Sequence, residues 1–136
     1  MNPYFEQVIL SASPIELVRL MYQKAIACVA DARDHLKAGR IKERSQAINR
    51  AYAILAELLI SLDSEKAPEL AKNLRGLYCY MQQRLLDANF TQKDAPLEET
   101  GKLLATLADA WMAVPPQVAT EVQSEDEPSA CMAVMA

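Results

Sequence analysis

Four segments of this 136-residue chain carry apolar side chains at alternating spacings of three and four residues. Such spacing places them on one face of an α-helix, so each segment is predicted to form an amphipathic helix. The first stripe comprises Val18, Met21, Ala25, Val29, Ala32 and Leu36. The second comprises Ile48, Ala51, Leu55, Leu58 and Leu62. The third comprises Leu70, Leu74, Leu77, Met81, Leu85 and Ala88. The fourth comprises Leu97, Gly101, Leu104, Ala108 and Trp111.

Capping residues predict where the first helix begins and ends. Ser13 is a typical N-cap, Pro14 suits the first helical turn, and Glu16 is placed to complete a capping box. Gly39 can adopt the left-handed conformation that ends many helices. The first helix is therefore predicted over residues 14–38.

The other three helices are predicted over residues 41–62, 68–89 and 96–114. Gly76, inside the third helix, is predicted to mark a close contact with a neighbouring helix. Four such helices joined by short connections predict an all-α fold, an antiparallel four-helix bundle. The alternative is a pair of helical hairpins that completes its core by dimerising.

Charge and composition divide the chain into a predicted bundle and a tail. Residues 115–136 carry four acidic side chains and no Lys or Arg, so the 14 remaining acids balance the 14 bases. We expect a single domain over residues 1–114, with an N-terminal arm at 1–12 and a disordered acidic tail at 115–136. The alternative for the tail is that residues 130–135 fold back onto a predicted partner-binding groove of the bundle.

Cysteine usage and hydropathy indicate a reduced, cytoplasmic protein without membrane insertion. Cys28, Cys79 and Cys131 have no metal-ligand or disulfide spacing, and no apolar run is long enough to span a bilayer. Cys28 and Cys79 are predicted to be buried and Cys131 to be exposed. No basic cluster indicates nucleic-acid binding.

The residue types do not support catalysis, a metal or a cofactor. His35 is the single histidine, with Asp31 one helical turn before it. A metal site needs more ligands, so His35 is predicted to face solvent at the helix end. We therefore expect that the protein is not an enzyme.

Surplus apolar residues predict a groove that accepts a partner helix, although core packing is the competing explanation. The predicted partner-binding residues come from the arm, the second helix and the third helix. They are Tyr4, Val8, Leu10, Ile54, Leu58, Leu77 and Tyr78. The three arm residues are expected to cover the groove until a partner displaces them; a permanently packed arm is the alternative. Leu58→Asp is expected to weaken partner binding more than it destabilises the fold.

Ordered blocks from residues 4 to 114 give the chain a resemblance to the FliS family of flagellin export chaperones. The blocks are ASPIEL with MY (12–17, 21–22), NRAYAILAEL with LD (49–58, 62–63), NLRGLYCYM with RLLDAN (73–81, 84–89), and LEE with LL and AW (97–99, 103–104, 110–111).

The resemblance implies a non-enzymatic cytoplasmic bundle, a monomer or weak homodimer, that binds the C-terminal helices of flagellin. Such a chaperone prevents premature polymerisation and keeps flagellin competent for the flagellar type III export apparatus. A non-flagellar, self-associating adaptor remains the alternative. The chain has Gln23-Lys24 where the family often has an acid-Gly pair, and its tail extends beyond the usual family end.

Overall fold

The computed structural model describes residues 14–113, which form four α-helices. They are α1 (Pro14–Ala38), α2 (Ile41–Ile60), α3 (Pro68–Thr91) and α4 (Ala95–Met112). Within this range there is no strand, and the predicted all-α four-helix bundle is confirmed. The proposed N-cap Ser13, the arm and the tail lie outside the described residues.

Each helix packs against two neighbours, which places the four helices in a ring. Helix α1 contacts α2 and α4, and α3 contacts the same two helices. Arg19, near the start of α1, donates a 3.1 Å hydrogen bond to the carbonyl of Trp111, near the end of α4. Arg33, near the end of α1, pairs with Asp94 at the start of α4. Helices α1 and α4 are therefore antiparallel.

A second set of hydrogen bonds orients α2 against α3. Arg44 and Ser45, in the first turn of α2, donate to the side chain of Asn89 near the end of α3 at 3.2 and 3.0 Å. Further along, the Gln82 amide donates to the Tyr52 carbonyl at 3.3 Å. This pair is also antiparallel, and these contacts mark the edge of α2 that faces α3.

The helix ends differ from the predictions by one or two residues, for local reasons. Helix α2 ends at Ile60 rather than Leu62. There the Ser61 hydroxyl donates to the Leu58 carbonyl at 2.8 Å, an interaction typical of a helix end. Helix α3 continues to Thr91, and Gln92 ends it in the left-handed conformation at φ 58°. Gly39 adopts φ +73° after α1, which confirms the predicted left-handed stop.

The core combines small residues with a few large ones. Ala25 and Ala32 of α1 and Ala47 and Ala51 of α2 have no exposed surface. Small side chains let two helix backbones approach closely, which explains how these helices pack along their length. Leu70, which was predicted to belong to the apolar stripe of α3, is instead exposed. None of the described helices is long and apolar enough to span a membrane.

The prediction of a close helix contact at Gly76 is wrong. A Cβ atom built on Gly76 would meet no heavy atom within 4 Å, since this residue lies on the outer side of α3. The glycine next to a neighbouring helix is Gly101, where such an atom would lie 3.6 Å from Cγ1 of Val29. Periodicity alone could not separate these two positions.

Gly76→Ala is expected to raise the free energy of unfolding by about 1 kcal/mol. The substitution adds a methyl group in open space and restricts the unfolded chain at a mid-helix position. Urea denaturation followed by circular dichroism measures the change. Gly39→Ala is the matched control and should cost about 1 kcal/mol or more, because its φ is positive. A loss of stability in Gly76→Ala would contradict this account.

Candidate functional site

Two buried tyrosines connect helices on opposite sides of the ring. The hydroxyls of Tyr22 in α1 and Tyr78 in α3 lie 2.6 Å apart, and neither side chain has exposed surface. A buried hydroxyl without a partner is costly, so each tyrosine satisfies the other. Tyr78 is therefore a core residue that fixes α3 against α1.

Burial raises the pKa of both phenols above the usual value. For Tyr22, loss of water outweighs the hydrogen bond that it shares with Tyr78. For Tyr78, burial is again the largest cause, and the neighbouring Tyr22 raises its pKa further. Both phenols therefore keep their protons to a higher pH in the folded protein than in the unfolded chain.

The four predicted groove residues of the bundle occupy different environments. Leu58, like Tyr78, has no exposed surface and lies in the core. Ile54 and Leu77 are partly buried and pack against the core from its periphery. Ile54 lies about 200° around α2 from Tyr52, so it is on the edge away from α3. Leu77 is on α3, and the four residues therefore do not form one continuous groove.

The remaining three predicted partner-binding residues, Tyr4, Val8 and Leu10, lie outside the described residues. Their role as a displaceable cover stays a prediction.

A surface depression lies between α3 and α4, and we call it the α3–α4 cleft. It has a volume of about 900 Å³ and is lined by Tyr80, Arg84, Asp94, Ala95, Glu98, Glu99, Lys102, Leu103 and Thr106. Leu77 lies on the same edge of α3 as Tyr80 and Arg84, at spacings of three and seven residues. Leu107 lies one turn after Leu103 on α4, and both are partly buried against the core. Leu103 is therefore the leucine within a mostly polar lining, and Leu77 and Leu107 continue the apolar helix edges beside the cleft.

Glu99 connects the two helices across the cleft. Its carboxylate accepts a 2.8 Å hydrogen bond from the Tyr80 hydroxyl and a 2.7 Å bond from Nε of Arg84. These two donors, Tyr80 first, hold the pKa of Glu99 below its usual value. Arg84 also contacts Asp87 on its own helix at 3.4 Å. Tyr80 and Arg84 are therefore oriented by a carboxylate of the opposite helix.

A bidentate ion pair closes the end of the cleft near α1. Nε and Nη2 of Arg33 each donate a 2.8 Å hydrogen bond to one carboxylate oxygen of Asp94. This arginine holds the pKa of Asp94 below its usual value. Glu98 lies 3.4 Å from Arg33 of α1 and 3.1 Å from Lys102 of α4, so its carboxylate forms ion pairs with both helices.

The polar part of this cleft is not apparent from the sequence. Adjacent acids such as Glu98 and Glu99 have the pattern of an ordinary solvated helix face, whereas in the structure Glu99 bridges two helices. The signal was present in the spacing, because Leu77, Tyr80 and Arg84 recur every three or four residues. Nothing in the sequence shows, however, which edge of the adjacent helix Glu99 occupies.

The other residues considered for chemistry have structural surroundings. His35 is half-buried and its Nδ1 accepts a 2.9 Å hydrogen bond from Nε of Arg40 across the turn. In residues 14–113 no group of His, Cys, Asp and Glu could hold a metal ion. Cys28 is buried as predicted, but Cys79 is exposed, which corrects the prediction for that thiol. Cys131 lies outside the described range.

These features define an all-helical bundle whose surface carries partly buried apolar helix edges and a charged cleft. The chain belongs to the flagellar protein FliS family, whose model matches residues 1–118.

Curated relatives agree with this assignment. The chain is 35% identical over 113 residues to the flagellar secretion chaperone FliS of Salmonella typhimurium, covering 82% of this chain and 84% of that protein. It is 35% identical over 106 residues to the flagellar secretion chaperone FliSB of Pseudomonas aeruginosa, covering 78% and 84%. It is 32% identical over 107 residues to the flagellar secretion chaperone FliS of Escherichia coli, covering 78% and 79%.

Leu58→Asp is now expected to unfold the bundle, because it places a carboxylate without a partner in the core. It replaces the expectation from the sequence that Leu58→Asp weakens partner binding more than it destabilises the fold. Leu77→Asp, at the partly buried edge of the cleft, should retain the helical signal and a cooperative thermal transition. Circular dichroism melting of the two variants compares them directly. A stable, fully helical Leu58→Asp protein would show that this side chain is not required in the core.

The tyrosine pair is expected to make stability fall as pH rises above about 10. Above that pH the tyrosines of the unfolded chain lose protons that the folded protein retains, so unfolding is favoured. The limit is about 1.4 kcal/mol per pH unit for each tyrosine. Urea denaturation between about pH 9 and about pH 11 tests this, with Tyr22→Phe/Tyr78→Phe as the control. An equal slope in both proteins would contradict the assignment.

Proposed function

We propose that this protein is an export chaperone that binds the C-terminal helical segment of flagellin. The observation that carries the proposal is membership of the FliS family, whose curated relatives are named flagellar secretion chaperones. The α3–α4 cleft supports it, because partly buried leucines at a helix edge suit recognition of an amphipathic helix.

The cleft matches the chemistry of such a client. An amphipathic helix presents apolar anchors every three or four residues, and Leu77, Leu103 and Leu107 provide apolar surface at comparable spacing. Around them, Lys102 and Glu98 offer exposed charges that can pair with the polar side of a bound helix. Burial of the leucines would drive binding, and the charged rim would select the orientation of the bound helix.

A long client segment would extend beyond one cleft. Ile54 lies on the edge of α2 away from α3, so it would contact a different part of a segment that wraps around the bundle. We propose that Tyr4, Val8 and Leu10 cover client-binding surface until flagellin displaces them. Leu58 and Tyr78 would support this surface from the core.

Binding of this kind would prevent premature polymerisation by mass action. Free flagellin polymerises through its terminal helices, and a chaperone that buries those helices removes them from the reaction. The bound, unpolymerised client would then be available to the flagellar export apparatus. Such a role needs binding and release rather than catalysis.

Calorimetric titration with a peptide that covers the C-terminal helices of flagellin from the same cell tests the proposal. We expect saturable one-to-one binding with a negative heat-capacity change, which marks burial of apolar surface.

Leu77→Asp should weaken binding about tenfold or more, since it places a charge at an apolar contact. Addition of the chaperone should also delay flagellin polymerisation measured by light scattering.

Ile60→Asp is the matched control, because Ile60 is an exposed apolar residue of α2 outside the cleft. It should bind the peptide as the wild type does. Absence of binding at high micromolar peptide would contradict the proposal. Tight dimerisation by sedimentation, together with that absence, would instead favour the self-associating adaptor.

A further inference from the structure

The outer side of α3, away from the core, carries an apolar row that no described residue covers. We call Gly76, Cys79, Leu86 and Phe90 the α3 outer row; their spacings of three, seven and four residues place them on one helix face. The exposed Gln83 lies on the same face between Cys79 and Leu86 and hydrogen-bonds to Asp87. Phe90 is 89% exposed and Leu86 is 44% exposed. Cys79 is also exposed, and the space over Gly76 is open.

Two basic residues precede this row on the same side of α3. Lys72 and Arg75 are exposed, and Lys72 lies one turn before Gly76. Neither forms an ion pair with a described residue; Arg75 makes one 3.5 Å hydrogen bond, to the Ser64 hydroxyl. From its N-terminus onward, the outer side of α3 therefore carries two basic residues and then the α3 outer row, with Gln83 as a polar residue inside that row.

The C-terminal segment of the chain has the complementary order. Its acids, Glu121 and residues 125–127, come first, and the apolar run Ala-Cys-Met-Ala-Val-Met at 130–135 follows. From residue 115 onward there is no Lys or Arg. The family model ends at residue 118, so these acids and this apolar run lie beyond the family match.

The fold places residue 113, from which this segment continues, at the basic end of α3. Helices α3 and α4 pack against each other and are joined by residues 92–94 alone, so they are antiparallel and α4 ends near the start of α3. Residue 113 is therefore at the end of the bundle where α3 begins, the end that carries Lys72. The 17 residues from 113 to 130 can span at most about 60 Å. The row from Gly76 to Phe90 is only about 21 Å long.

We propose that residues 119–136 bind along the outer side of α3 as an intramolecular cover. The acids at 121–127 pair with Lys72 and Arg75, and the apolar run at 130–135 covers the α3 outer row. Charge order, chain length and the position of residue 113 all favour this chain's own segment as the occupant. This arrangement does not depend on flagellin binding, because the row lies on α3 outside the α3–α4 cleft.

Two native cysteines provide the test. Cys131 lies in the apolar run and Cys79 in the α3 outer row, so the cover should bring their thiols together. The full chain is treated with oxidised glutathione, and the intramolecular Cys79–Cys131 disulfide is measured by mass spectrometry after digestion. The rate of disulfide formation is divided by the rate at which iodoacetamide alkylates Cys79 in a Cys131→Ser protein. This ratio is the corrected rate, and it removes differences in the reactivity of the thiol itself.

Ile60 supplies the matched control position. It is 77% exposed near the end of α2, on the same end of the bundle as residue 113, so an unbound tail would reach it as readily as Cys79. In the Ile60→Cys/Cys79→Ser protein, the corrected rate of linkage to Cys131 should be about tenfold lower than that of Cys79. Lys72→Glu/Arg75→Glu should reduce Cys79 linkage to the control rate, while circular dichroism shows an unchanged fold.

Equal corrected rates for the two positions would overturn the proposal, because the tail would then sample both surfaces alike. Intermolecular Cys79–Cys79 linkage as the main product would also overturn it, since a second copy would then cover the row. Preferential Cys79–Cys131 linkage that persists in Lys72→Glu/Arg75→Glu would overturn the acidic–basic pairing.

Discussion

The structure depends on the requirement that four amphipathic helices bury their apolar sides on one common axis. No single helix can shield its own stripe from water, so each needs two neighbours, and the ring of α1 to α4 provides them. In the core of this ring, the hydroxyls of Tyr22 and Tyr78 form a 2.6 Å hydrogen bond, so that neither buried hydroxyl lacks a partner. That bond links the two helices that are diagonal to each other.

Ion pairs and hydrogen bonds of arginine side chains then favour one register between neighbouring helices. Arg33 with Asp94 fixes one end of α1 against α4, and Arg19 with the Trp111 carbonyl fixes the other. Exposed ion pairs contribute little stability, so their main effect is on register and orientation. Glu99 has a similar role between α4 and α3 and, in addition, shapes the wall of the α3–α4 cleft. The proposed binding surface and the helix register therefore rest on the same residues.

The bundle separates its apolar residues into three groups with different consequences. Core residues such as Leu58 hold the fold together. Edge residues such as Leu77 and Leu103 are partly buried and can gain contacts with a client helix. Residues of the outer surface, such as Phe90, contribute nothing to the core and remain available to another segment. A chaperone needs the second group, because its client must bind without disrupting the first.

The four helices, their approximate ends and the family could be predicted from local sequence patterns. Apolar spacing of three and four residues is a local property, and Gly39 stops α1 for a local steric reason. The division of the apolar residues into core, edge and outer surface became visible when the helices were seen packed together. Leu58 and Ile54 are four residues apart on α2, yet one is buried and the other lies at an edge, because burial depends on where the neighbouring helices pack. For the same reason Gly76 faces open space, Cys79 is exposed and Glu99 bridges two helices.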